Sequence, residues 1–356
     1  MNTLKEITYL LVCSLCLFSC QPVNGNASTL AAETKAQVCE WPCTEEDKLT
    51  AAAMFATSAA EQTQVPLPMK GPSLANCPMF PANNIWNAPI DSLPIHAMSE
   101  AWIDSIGRDE GFHMDFGSGE WDGGPIGIPF NIVSGLSVAK YAPEFYYPEE
   151  ADAEPYPIPD NPRIEYGSDH HILIVDTDVC RLYEIYDASF DNGQWSGGSG
   201  AIWDLNSNDL RPETWTSADA AGLPILPGLV RYDGVVGGEI KHALRFTVEN
   251  TAGYIWPARH LTSDPQDEIP PMGARFRLKA DYEISGFPPE MQVLLQAMKT
   301  YGIMLADNGS NWYVSGAPDE HWDNDMLHLL DVLTGDDFEA VDTSVLIVDV
   351  NSGEAR

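Results

Sequence analysis

The chain has 356 residues, of which 53 are Asp or Glu and 18 are Lys or Arg, so its formal net charge at pH 7 is −35. Nucleic acids and anionic membrane surfaces bind proteins through positive patches, so this excess of negative charge argues against both as partners. Most of it is typical of exported proteins that work in salty water. The alternative left open is that part of it, for example Asp319, Asp323 and Asp325, binds calcium.

Residues 1–19 have the pattern of an export signal. Lys5 is the basic residue of a short N-terminal region, and Tyr9–Phe18 are almost wholly apolar. The run is too short for a membrane-spanning helix of about 20 residues. The segment that ends in Ser19-Cys20 resembles the lipobox of bacterial lipoproteins, which implies a lipid anchor on Cys20. We therefore expect an exported protein that is periplasmic, an outer-membrane lipoprotein or extracellular.

Residues 20–76 are rich in Ala, Ser, Thr, Gln and Pro, which predicts a low-complexity tether. Apart from Cys20 and the two cysteines of the signal, the chain has four cysteines, an even number that is typical of an oxidising compartment: Cys39, Cys43, Cys77 and Cys180. Three connectivities are open. If Cys39 and Cys43 close a local loop, Cys77 is left to link the start of the folded domain to Cys180. A metal site is the weaker interpretation, because the sequence has no CxxC motif.

Residues 77–349 are predicted to form a single β-rich domain, either catalytic or binding. Short strands between Gly and Pro residues, with a few short helices, predict a mainly β, sandwich or jelly-roll-like fold. One helix is predicted over Ser99–Ile106. Another is predicted over Pro289–Tyr301, with Pro near its first turn and Gly302 after its end, and a strand over Ile303–Ala306 follows.

Two further segments alternate between apolar and polar residues. Ile240–Val248 places His242 on the apolar face and Arg245 on the opposite face. Arg275–Lys279 predicts a strand whose cations point outward. The Gly-rich segment Trp195–Gly200 follows a turn signal, so we expect a mobile loop there.

A predicted β-hairpin gives the strongest indication of function. With a two-residue turn at Thr177-Asp178, His171 faces Glu184, and Asp169 faces Tyr186. The other side chains on this face are apolar, so it faces the core and takes the His and the Glu inward with it. Buried titratable pairs are either satisfied structural groups or functional ones.

The candidate catalytic residues combine this hairpin with two other segments: His171, Glu184, Asp169, Tyr186, His242, His113 and Asp115. Three roles remain open for the buried histidines and Glu184: hydrogen-bonded core groups, ligands of a metal ion, or an acid/base pair. His113 and Asp115 are two residues apart before a Gly-rich loop. That spacing allows them to share one strand face and to look into a cleft.

Aromatic residues recur beside carboxylates in the predicted loops. Sugars bind at such places, because their C–H faces stack on rings while their hydroxyl groups need hydrogen-bond partners. The alternative is that the tryptophans fill a β core. The candidate substrate-binding residues are Trp121, Tyr147, Trp203, Trp215 and Arg245.

Several phrases of the sequence resemble a set of secreted bacterial and fungal proteins without an assigned activity. They are Cys77–Asn87, His113–Gly117, Trp215–Gly228, Ile240–Phe246 and Tyr301–Gly309. The resemblance spans roughly Cys77–Asp342. It implies one domain and a secreted protein, and it assigns no catalytic residue.

Together these patterns predict a carbohydrate-active protein outside the cytoplasm, with polysaccharide as its partner. The charge favours hydrolysis, in which Glu184 acts with a second carboxylate, Asp187, Asp169 or Asp204. A polysaccharide lyase is the second interpretation, with His171 or Tyr186 as base and Arg245 or Arg259 as the cation that neutralises a uronate. A non-catalytic glycan-binding lipoprotein is the third.

Overall fold

The structure, a computed structural model, describes residues 71–356. The predicted signal, most of the predicted tether and the Cys39–Cys43 pair lie outside these residues. Its strands are β1 Ser73–Leu74, β2 Cys77–Pro78, β3 His113–Asp115, β4 Glu120–Trp121, β5 Gly124–Pro125, β6 Phe130–Val133, β7 Glu144–Phe145, β8 Ile172–Asp176, β9 Arg181–Ile185, β10 Ser189–Asp191, β11 Gln194–Gly197, β12 Gly200–Asp204, β13 Leu244–Val248, β14 Arg275–Leu278, β15 Ile303–Asn308, β16 Tyr313–Ser315 and β17 Phe338–Val341. Its α-helices are α1 Ser99–Ile106, α2 Tyr232–Val236, α3 Pro289–Thr300 and α4 Asn324–Leu327. Short 3-10 helices cover Ile85–Asn87, Leu226–Gly228, His328–Val332, Gly335–Asp337 and Ser344–Leu346.

Two larger sheets organise the fold. One has six strands in the order β17-β14-β15-β13-β16-β3, and the other has four in the order β12-β9-β8-β6. Apolar side chains of both sheets meet in one core, for example Leu173 and Leu182 from the four-stranded sheet with Met304 and Ala306 from the six-stranded one. The predicted mainly β, sandwich-like fold is therefore confirmed.

Each sheet also buries its outer face. Phe246 and Phe276 of the six-stranded sheet pack with Trp102 of α1 and Leu294 of α3. On the other side of the molecule, Ile174 of the four-stranded sheet packs in a third cluster with long-loop residues. Strands buried on both faces read as continuous apolar runs, which explains the Ile-Leu-Ile-Val sequence of β8.

The two helices predicted from capping and periodicity are confirmed within one residue. Gly302 ends α3 in the left-handed region, at φ 70°. A Cβ there would lie 2.1 Å from the carbonyl oxygen of Phe276, so only glycine fits between the helix and β14. The strand that follows begins at Ile303 as predicted but continues to Asn308, two residues beyond its predicted end, which places Asp307 in the sheet.

The prediction that the cations of β14 point outward is wrong. Arg275 and Arg277 are buried, because the chain before α1 covers that face of the strand. Arg275 donates hydrogen bonds to the carbonyls of Ile85 and Tyr301, and Arg277 donates to that of Ile90. Buried guanidinium groups need several acceptors, and carbonyl oxygens supply them here.

The expected loop at Trp195–Gly200 is also wrong. Its residues belong to the strands β11 and β12, and Trp195 is buried in the third cluster. Glycine is required there by close packing, since a Cβ on Gly200 would lie 2.3 Å from the Phe145 ring.

The predicted hairpin exists, but its predicted register is wrong by two residues. Leu173 pairs with Glu184 and Val175 with Leu182, because the turn has four residues instead of two. Since a shift of two residues preserves the faces of a strand, His171 and Glu184 still point toward the six-stranded sheet. The disulfide between Cys77 and Cys180, one of the open connectivities, is confirmed. No helix within residues 71–356 is both long and apolar enough to cross a membrane.

Candidate functional site

His171 is a buried imidazolium held from both sides. Its Nδ1 donates to the carboxylate of Glu165, and its Nε2 donates to the carbonyl oxygen of Ala218 at 3.0 Å. Burial alone lowers the pKa of His171, but the hydrogen bond and charge of Glu165, with the charge of Asp219, raise it to about 9. With both ring nitrogens occupied and only 2% of the residue exposed, His171 has no free lone pair for a metal ion or a substrate proton.

Glu184 is completely buried on the same face of the hairpin. Its carboxylate accepts hydrogen bonds from the backbone amides of Ile225 and Leu226, at 3.0 and 2.9 Å. Burial raises the pKa of Glu184 to about 7, even though these amides stabilise its charged form. A polysaccharide cannot reach this carboxylate, so Glu184 cannot be the acid, base or nucleophile of a hydrolase as predicted. It can only position the segment whose amides it binds.

Arg245 is the centre of the charge cluster between the two sheets. Its Nε and Nη2 bind both oxygens of the buried Asp219, at 2.8 and 2.5 Å, and its Nη1 donates to the Ser315 hydroxyl at 2.5 Å. Nη2 also lies 3.5 Å from the carboxylate of Asp307. Bidentate pairs of this kind fix orientation as well as charge.

Two carboxyl groups near this buried cluster are accessible to solvent. The side chain of Asp307 is 21% exposed, and its pKa is raised well above its ordinary value by burial and by the charge of Asp219. Asp115 is exposed and pairs in register with Ser315, so it lies in one row with Arg245 across neighbouring strands. Partial burial raises the pKa of Asp115; the charge of Glu165 raises it further, and those of His113 and Arg245 oppose the shift.

A cleft of about 590 Å³ opens beside Asp115. This volume is typical of a small-molecule or oligosaccharide site. The wall combines acidic, aromatic and imidazole side chains, notably His113, Asp115, Glu120, Trp121, Tyr313 and His328. The Trp121 side chain stands on the β4–β5 hairpin and is 77% exposed, whereas the His113 ring lies 4.5 Å from that of Tyr313.

The placement of His113 and Asp115 on one strand, β3, agrees with their spacing in the sequence. The neighbouring Met114 and Phe116 point into the core behind the sheet, so the His and the Asp face the other way. Because β3 is an edge strand, residues of both its faces line the cleft, His113 and Asp115 on one face and Met114 and Phe116 on the other.

The remaining catalytic candidates do not all lie at one site. The ring of Tyr186 is half-buried and lies 5.7 Å from that of His171, while Asp169 is exposed next to this end of the hairpin. His242 lies elsewhere, beside Arg231 and Asp233, with its Nδ1 bonded to the carbonyl of Ala243. Burial, with the charge of Arg231, lowers the pKa of His242 to about 4, so it is neutral and outside the cluster.

The predicted sugar-binding residues also have different surroundings. Trp121 and Tyr147 are exposed, whereas Trp203 is buried in the central core and cannot contact a polysaccharide directly. The half-buried Trp215 lies 5.4 Å from the Arg211 guanidinium. Arg245 is buried in its pair with Asp219, and Arg259 donates to the carbonyls of Arg211 and Val350.

Among residues 71–356, no group of three or more His, Cys, Asp or Glu side chains has the geometry to hold a metal ion. The acids considered for calcium have other contacts. Asp319 accepts hydrogen bonds from His321, and Asp323 caps α4 by accepting from the amide of Met326. Asp325 is exposed in the first turn of that helix.

Sequence reasoning missed Glu165, Asp219 and Asp307 as members of the site. Asp219 and Asp307 are 88 positions apart, and only the sheet order brings both to Arg245. A signal was available for Asp307, since it directly follows a predicted buried strand. Comparison with protein-family models, curated proteins and solved structures found no match to this chain.

Proposed function

We propose that the protein is a secreted or surface-anchored carbohydrate-active protein that hydrolyses a polysaccharide. The observation that carries this proposal is a cleft with an exposed tryptophan and the carboxyl group of Asp115 in its wall. A second carboxyl group that reaches solvent, Asp307, contacts the buried Arg245–Asp219 pair from the other side. Glycosidases use two carboxyl groups with different protonation states.

Different surroundings give the two carboxyl groups different roles. Burial and the charge of Asp219 raise the pKa of Asp307 well above its ordinary value, which suits this carboxyl group to protonate a leaving-group oxygen. Asp115 is more exposed, so it is the member that ionises and acts as base or nucleophile. Their separation in the substrate complex decides between inversion and retention.

The charges near the cleft favour hydrolysis over β-elimination. A lyase needs a cation free to neutralise the uronate carboxylate of its substrate. Arg245 is paired with Asp219, His171 with Glu165, and Arg259 with backbone carbonyls. The buried cations described near the hairpin therefore already have acceptors.

An assay of polysaccharide breakdown tests the proposal. The purified protein is incubated with plant and algal polysaccharides, and both new reducing ends and the ultraviolet absorbance of unsaturated uronates are followed. We expect reducing ends without the absorbance, and their loss in Asp115→Asn and in Asp307→Asn. Asp160→Asn, a change of an exposed acid without a described side-chain contact, is the matched control.

Other results identify the alternatives. Appearance of the uronate absorbance makes the protein a lyase. Binding without any product leaves a glycan-binding lipoprotein, for which Trp121 is the first contact to change. Full activity in both Asp variants would refute the roles given to these carboxyl groups.

Export and lipidation form part of the same proposal. The disulfide between Cys77 and Cys180 supports an oxidising compartment, where such bonds persist. Metabolic labelling with a fatty acid tests the anchor: we expect label in the wild-type chain and none in Cys20→Ala. Label in neither protein would remove the anchor and leave a secreted protein.

A further inference from the structure

The cleft beside Asp115 has a distinctive charge. Two carboxylates, Asp115 and Glu120, line it, and neither Lys nor Arg is among its lining residues in the described part of the chain. His328, at its edge, lies 2.9 Å from the carboxylate of Asp331, which offsets the charge of a protonated ring. The lining therefore holds two carboxyl groups and two imidazoles and no permanent cation.

The two buried cations behind the cleft wall are each paired with a carboxylate. Arg245 is neutralised by Asp219 and His171 by Glu165. Asp115 and Glu120 have no ion-pair partner among the described residues, and a low-dielectric wall concentrates the field of such charges in the cleft.

Aromatic rings add a second preference to the same cleft. Trp121 is exposed on its hairpin, and Tyr313, which pairs with His113 across β16 and β3, also lines the cleft. Ring faces stack on sugars, and they also attract cations through their quadrupole. Carboxylates with aromatic faces are suited to a sugar that carries a positive charge.

We propose that the substrate is a polysaccharide of amino sugars with free, protonated amines; this inference rests on the hydrolase function proposed above. The amine pairs with Asp115 or Glu120 while the ring stacks on Trp121. Polyuronates and sulfated glycans are repelled by the same carboxylates. N-acetylation removes the positive charge and with it the advantage of the amine.

Binding to matched oligosaccharides tests the substrate class independently of catalysis. Calorimetric titrations of the full chain use β-linked glucosamine oligomers, α-linked galactosamine oligomers, the N-acetylated form of each, and an oligogalacturonate. The pH is mildly acidic, so that the amines are protonated. We expect at least one free-amine oligomer to bind more tightly than its acetylated form and the oligogalacturonate not to bind. Added salt should weaken the amine complex selectively.

Variants locate the effect in the cleft. Glu120→Gln should weaken binding of the free-amine oligomer roughly fivefold, as expected for loss of one partly exposed ion pair, and leave the acetylated oligomer unchanged. Asp160→Asn, which changes an acid that does not line the cleft, should change neither. Equal or tighter binding of the acetylated oligomers or of the oligogalacturonate would overturn the inference, as would no binding of either amine polymer.

Cleavage in the same samples separates this inference from the proposed function. Hydrolysis of a neutral glycan that depends on Asp115 would retain the hydrolase and refute the amine preference. Tight, salt-sensitive binding of an amine oligomer without cleavage would retain the ligand class and refute the hydrolase.

Discussion

The Arg245–Asp219 pair offers the sharpest test of the site described here. Both side chains are buried, with 5% and 0% of their surface exposed, and two hydrogen bonds join them. Asp219→Asn keeps the shape of the side chain but removes its charge, and its amide group cannot accept from both guanidinium nitrogens. Removing one partner of a buried ion pair costs about 3–5 kcal/mol of unfolding free energy.

Two contacts set where in this range the loss should fall. Asp307 lies only 3.5 Å from Arg245 and can ionise to compensate part of the lost charge. Ser315 continues to accept from Nη1. We therefore expect about 3 kcal/mol, the lower end of the range for a broken buried pair.

Urea unfolding measures this loss as a lower midpoint with an unchanged slope. The double variant Asp219→Leu/Arg245→Met, which removes both charges, should be more stable than Asp219→Asn, because no buried charge is left unpaired. A loss below about 1 kcal/mol in Asp219→Asn would show that Arg245 reaches water, since exposed pairs contribute that little. Such a result would refute the arrangement between the sheets.

Three more predictions follow from single features. Because the pKa of His171 is raised from 6.5 to about 9, its protonation contributes about 3 kcal/mol to stability below pH 6.5, and this contribution is lost as the pH rises to about 9. The free energy of unfolding measured across that pH range should therefore decline, and the decline should be smaller in His171→Gln. Glu184 has a raised pKa of about 7, so its contribution is lost earlier, between pH 4.5 and 7, and Glu184→Gln should flatten that part of the profile. The disulfide closes a loop of 103 positions, so Cys77→Ser/Cys180→Ser should lose about 5 kcal/mol in thermal or urea unfolding; unchanged stability of this double variant under oxidising conditions would contradict the assignment.

The hairpin shows which part of the site a sequence can predict. Alternation has a period of two, so the inward direction of His171 and Glu184 followed from the apolar residues beside them. The register depends on the turn, which has four residues rather than the predicted two. It ends at Cys180 with a positive φ of 50°, a conformation that is uncommon for residues other than glycine and that the sequence does not indicate. The faces were therefore predictable, and the cross-strand partners were not.

Partners from distant segments were beyond sequence reasoning. Glu184 bonds to amides 41 and 42 positions away, and Arg245 bonds to Asp219 and Ser315, which belong to different segments again. The buried cations of β14 illustrate the same limit. An alternating strand indicates two faces, but whether a distant segment covers the polar one depends on the tertiary fold.

The central claim is that water cleaves a glycosidic bond at Asp115 and Asp307. Hydrolysis in water labelled with heavy oxygen tests it most directly, because a hydrolase transfers one oxygen atom of the solvent to the new end of its product. Mass spectrometry of the oligosaccharides released from the best substrate should show one labelled oxygen at each new reducing end, none in the fragment that keeps the original reducing end, and no labelled product in Asp115→Asn. Products without the label would show bond cleavage by elimination and contradict the account.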